Sequence, residues 1–168
     1  MLLLLFSGST ASGQHTDVNE YQVKAVFLYN FTQFIDWPAT SFNTPEEPFV
    51  IGIIGENPFG FFLDEVIAGE KFGTHPIIVK KFEEIHDISN CHILYINSSD
   101  AIWVGKILSS VSDKNMLTVS DAPNFSKVGG MVRFFTENKK IRLQINVERS
   151  KASRLNISSK LLSVSKTN

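Results

Sequence analysis

A single cysteine, Cys91, in 168 residues excludes an internal disulfide and leaves any Cys-based metal site short of ligands. The four histidines, His15, His75, His86 and His92, form no HxxxH or HExxH spacing. Cations are not in excess either. Sixteen Lys and Arg face 17 Asp and Glu, for a formal net charge of −1, so the electrostatic drive for non-specific nucleic-acid binding is missing. No apolar run approaches the roughly 20 residues needed to span a bilayer. What is there is an ordinary globular composition, 43% apolar and 20% charged, with no repeat and no low-complexity tract. A chain of this length buries roughly two-thirds of its unfolded surface and folds without staples.

The first residues are distinctive. Met1 to Phe6 are apolar, and Ser7 to Gly13 are small. The pair resembles the end of a secretory signal peptide with a cleavage point between Gly13 and Gln14. The basic leader is missing and the apolar stretch is short, as a gene start placed too far downstream would leave them. The expectation is a truncated signal-peptide remnant at 1–14, a single domain at 15–168 and a periplasmic address.

Asp17 to Ile35 reads as a helix, with Asp17 as N-cap and Glu20 completing a capping box. Trp37-Pro38 ends it. Ala25 to Tyr29 is apolar almost all round, so this helix is either buried on two sides or keeps a face for a partner. The run Pro48 to Gly55 suits a strand buried on both faces, followed by a glycine turn and a helix from Phe61 to Ala68. Further strands are expected at Pro76–Phe82, Cys91–Ile96 and Met116–Asp121, with a helix at Asp100–Ser110 capped by Asp100. Beyond Gly129-Gly130, the runs 131–135 and 141–147 form a hairpin. In its second arm, Ile141, Leu143, Ile145 and Val147 alternate with Arg142, Gln144 and Asn146. A helix over 150–165 closes the chain. The fold class is α/β: a three-layer sandwich with a mostly parallel central sheet, a C-terminal antiparallel β-hairpin and a closing helix.

Chemistry is harder to find. The glycine spacing Gly52, Gly55, Gly60 is neither G-x-G-x-x-G nor a Walker loop. There is no nucleophile elbow. Cys91 and His92 are neighbours on a strand and must face opposite ways. Glu56 and Asp121 follow strands, but no acidic residue closes the strand ending near Ile96, so a phosphate-accepting acidic cluster is not formed. No catalytic, cofactor-binding or metal residue is assigned. Arg133, Arg142 and Arg149 recur around the hairpin and are either solvated strand charges or readers of a carboxylate or phosphate. Fourteen phenylalanines and two tryptophans leave open an aromatic-lined small-ligand pocket, or an adaptor role.

In order, the segments 20–31, 34–38, 54–60, 91–96, 117–121, 129–134 and 141–146, with the closing stretch from Leu155 to Leu162, resemble the YfiR-like family over about residues 20–165. That resemblance implies a non-enzymatic periplasmic repressor. It would bind and inhibit the periplasmic sensor domain of an inner-membrane diguanylate cyclase, lowering cyclic-di-GMP and biofilm formation. A peptidoglycan-associated outer-membrane lipoprotein would sequester it, and homodimers are common among relatives. Relatives can also carry cysteine pairs tied to periplasmic redox state, which a chain with Cys91 alone cannot reproduce internally. Partner contacts are expected on the aromatic edge of the first helix, at Tyr21 and Leu28, and on the wet hairpin face, at Arg133, Arg142 and Asn146.

Overall fold

Strand periodicity sorts the apolar residues of the sheet into two cores. The computed structural model describes the backbone of residues 14–168 and side chains from Glu20 onward. The expected signal-peptide remnant lies outside the described residues except for the backbone of Gln14. In chain order the elements are α1 (Gln14–Phe34), β1 (Ile35–Asp36), β2 (Phe49–Gly55), α2 (Phe62–Ile67), β3 (Lys71–Phe72), β4 (His75–Phe82) and β5 (Ile93–Asn97). They continue with α3 (Ala101–Ser110), β6 (Leu117–Ser120), β7 (Val132–Glu137), β8 (Lys140–Ile145), α4 (Val147–Ala152), β9 (Asn156–Ile157), α5 (Ser159–Ser163) and β10 (Lys166–Thr167).

Eight strands form one sheet in the order β10-β8-β7-β6-β5-β2-β4-β3, while β1 and β9 pair separately and antiparallel. From β4 through β2, β5 and β6 to β7 every pairing is parallel. The β7–β8 pair is antiparallel, and β10 runs parallel to β8. Phe49, Ile51 and Ile53 of β2 enter one core with Leu28 and Phe31 of α1 and Leu63 of α2. Val50 and Ile54 enter the other with Val104 and Ile107 of α3. The layers are therefore helix, sheet, helix, as the alternating pattern predicts.

At Gly52 and Gly55 the fold leaves little room for a side chain. A Cβ on Gly52 would stand 2.6 Å from both Cys91 Sγ and the Phe82 ring. Gly55 has φ +94° and lies against the carbonyl of Asn97. The hairpin turn is tighter than the sequence suggests. Asn138 (φ 51°) and Lys139 (φ 59°) make a two-residue left-handed turn, the twist-matched type I′ connection.

Two sequence expectations need correction. The first helix starts at Gln14, so Asp17 lies inside it rather than at its cap. The single closing helix over 150–165 is instead α4, β9 and α5. The break occurs at Arg154, which sits at φ 60°. There the amide of Leu155 donates to Ser150 O and that of Arg154 to Lys151 O, the paired bonds of a Schellman terminus. A non-glycine residue in that position carries no sequence signal.

Candidate interaction surface

A lysine buried in an apolar helix needs a partner. Lys24 is 2% exposed, and its Nζ lies 2.6 Å from Glu20 Oε1, one helical turn back, and 2.7 Å from Asp121 Oδ2. Asp121 follows the last residue of β6, so the pair pins α1 to the carboxyl end of the parallel sheet. Burial pulls the lysine's pKa down, and the hydrogen bonds it donates to Asp121 and Glu20 more than reverse this, so it stands above the ordinary value. Tyr21 donates to the same Asp121 oxygen at 3.3 Å and sets its ring edge-on to Phe59. Burial, then the Asp121 charge, raises the phenol's pKa. With its charge held by two carboxylates, Lys24 anchors a helix and is not free to act as a base.

His92 and Cys91 are committed to packing and backbone hydrogen bonds. His92 Nδ1 accepts from the Val50 amide at 3.1 Å, and Nε2 lies 2.9 Å from Ser41 O, which fixes a neutral ring that donates through Nε2. Burial depresses its pKa. The ring stacks on Phe49 and Phe42, and His75 also stacks on Phe42. Cys91 points into the opposite core, donates to Ile93 O, and is pushed up to about 12 by burial. The glycine turn after β2 is closed by Asn97 Nδ2 donating to Glu56 O at 2.8 Å. That contact occupies the crevice between β2 and β5 where doubly wound sheets hold ligands. At the opposite, amino end of β2 the aromatic residues pack on one another: Trp37 stands edge-on to Phe49, and Phe42 stacks on Phe72.

The hairpin is built differently. Its inner side chains, Phe134 and Leu143, join the core, with Phe134 stacked on Phe31 at 6.1 Å. On its outer face Arg133 pairs with Gln144, Phe135 with Arg142, and Glu137 with Lys140. The Arg133 guanidinium lies 5.7 Å from the Phe135 ring centre, and Lys166 Nζ lies 5.0 Å from it. Lys166 also holds Glu137 at 2.7 Å and lowers its pKa. Four cations therefore surround one aromatic ring and one carboxylate on a chain whose overall charge is −1.

Of the residues expected to meet a partner, Arg142 is exposed and Arg133 half-buried, its Nε donating to Ala122 O. Tyr21 is half-buried in the Lys24 network. Leu28 is a correction: with no exposed surface it belongs to the core, because α1 turns that side toward the sheet. The apolar side of α1 that reaches solvent carries Val23 and Val26. Asn146 is also displaced from the hairpin face. It follows β8 as the N-cap of α4, accepting from the Arg149 amide at 3.0 Å. Sequence reasoning missed Phe61 (84% exposed) and Ile102 (75%), which stand beside the starts of α2 and α3. It also missed Lys24, whose signal was a cation amid Val23, Ala25, Val26 and Phe27, four residues after Glu20.

Among the described residues no helix is long and apolar enough to cross a membrane. A model of the YfiR/HmsC-like family matches residues 21–166. No curated protein matches the chain.

Proposed function

Because the chain belongs to the YfiR/HmsC-like family, we propose that it is a periplasmic brake on a membrane diguanylate cyclase. It binds the cyclase's periplasmic sensor domain and holds it inactive, which lowers cyclic-di-GMP and biofilm formation. A peptidoglycan-associated outer-membrane lipoprotein relieves the brake by sequestering it, and homodimers form a reservoir. Residues 15–168 act as one domain, and residues 1–14 belong to its export signal.

The observation that carries this reading is the uncovered hairpin face, where Arg133, Arg142 and Lys166 gather around Phe135. A ring flanked by guanidinium and ammonium groups suits recognition of a protein surface, since Arg and aromatic residues dominate interface energetics. Tyr21 and the solvent side of α1 at Val23 and Val26 supply a second, apolar contact. The residue types that could do chemistry, Cys91 and His92, are spent on packing and backbone hydrogen bonds.

The test is binding of the purified chain to the periplasmic domains of the membrane diguanylate cyclases from its own genome, followed by assay of cyclase output. Saturable micromolar binding to one of them, with reduced output, is expected. Binding to none sinks the brake and favours an adaptor or ligand-binding role.

A further inference from the structure

The sheet ends on an incomplete edge. The strand β10 is two residues long and pairs only with Gln144 and Ile145 of β8. The ladder shows which way β8 points its backbone groups. The amide of Asn146 donates to Met131 O at 2.8 Å, toward the β7 side. Ile145 O accepts from Asn168 at 3.2 Å, toward the β10 side. Direction alternates along a strand, so the N–H and C=O of Ile141 face outward. Lys166, paired in parallel with Gln144, engages the outward carbonyl of Leu143, while among the described residues no strand meets the outward N–H and C=O of Ile141 or the N–H of Leu143.

This bare edge borders a groove of about 370 Å³ whose lining includes Arg142, Leu143, Val164, Ser165 and Lys166. Val164 is 63% exposed at its rim. Four residues of strand extend over about 13 Å, enough for a short added strand. The two sides of such a strand would meet different surroundings. Beside Arg142 and Lys140 its neighbours are cations, the one carboxylate of the groove, Glu137, being held by Lys166, and beside Ile141 and Val164 they are apolar.

We infer that the open outer edge of β8, from Lys140 to Leu143, docks an extended partner segment of alternating acidic and apolar residues, which joins the sheet as an additional strand. Main-chain hydrogen bonds supply affinity in such strand addition, and alternate side chains supply selectivity. Charge decides the occupant. A second copy of this chain pairing edge to edge would set Lys140 and Arg142 against their own counterparts, and like charges directly opposite repel. Edge cations are a common guard against self-pairing. The same guard attracts carboxylates. The inference rests on the chain's being a protein-binding module and deepens that reading by naming the chemistry of the bound segment.

The test uses the full 168-residue chain, labelled with nitrogen-15, and a blocked nonapeptide of alternating glutamate and valine. A lysine–valine peptide of equal length is the control. Hydrogen exchange at the Ile141 amide should slow at least about tenfold with the glutamate–valine peptide. Arg142→Glu should weaken peptide binding about tenfold, near 1.4 kcal/mol, without moving the urea midpoint. Unchanged exchange at Ile141, or equal binding of the lysine–valine peptide, overturns the inference. So does an Ile141 amide already protected in the free chain, which would mean that a second copy or residues 1–13 fill the edge. Neither peptide contains a cyclase, so failure here leaves the brake reading standing, and failure of the brake leaves this one.

Discussion

The ammonium of Lys24 and the carboxylate of Asp121, 97 positions apart in sequence, meet at 2.7 Å over the carboxyl end of β6. The lysine is fully enclosed, while Asp121 keeps about a quarter of its side chain in water. That asymmetry sets the consequences of mutation.

Asp121→Ala should cost about 2 kcal/mol, because a buried ammonium loses one of its two charged acceptors. Lys24→Met should cost less than about 1 kcal/mol, since both carboxylates can turn to water and the methionine stem fills the same apolar space. Urea denaturation of the two variants measures the difference. An equal loss in both would mean that the pair contributes by packing and not by charge.

Stability should fall as the solution is acidified through the range of His92. Its folded pKa lies below the unfolded value of about 6.5, so the unfolded chain takes up a proton first. The contribution is complete above about pH 6.5 and is lost as pH falls toward the folded value. Protonation at Nδ1 would also deprive the Val50 amide of its acceptor. Urea midpoints measured between pH 8 and pH 5 should decline for the native chain. The decline should shrink in His92→Gln, and an unchanged slope would refute the assignment to this ring.

Gly52→Ala should destabilise by about 1–3 kcal/mol through overpacking, because the new methyl meets Cys91 Sγ and the Phe82 ring at 2.6 Å. Adding Cys91→Ala should recover part of the loss. In the native chain the thiol should react with an aromatic disulfide reagent at least about a thousandfold more slowly than in urea, because its thiolate is suppressed and enclosed. A Gly52→Ala chain as stable as the parent would show that the β2–β5 contact is looser than described.

How much was legible follows from which residues carried a periodic signal. The strands from Phe49 to Ile145, except the two-residue β3, were legible because alternation and apolar runs are local, and Asp100 caps its helix as its type predicts. Leu28 was misjudged because α1 is apolar on most sides, and only the sheet decides which side is buried. The break at Arg154 was invisible because a residue other than glycine adopts the left-handed conformation. The Lys24–Asp121 contact joins distant segments, and Asn146 reads as strand until its side chain is seen to cap α4.

The pairing of β1 with β9 ties the end of α1 to the last helices, with Asn156 donating to Asp36 across 120 positions. A chain delivered N-terminus first exposes the apolar side of α1 long before that clasp can close. At about 5–20 residues per second, synthesis of the intervening stretch takes roughly 6–24 s. During that interval Leu28 and Phe31 lack the hairpin that covers them. Completion of the fold thus waits on the arrival of the C-terminus.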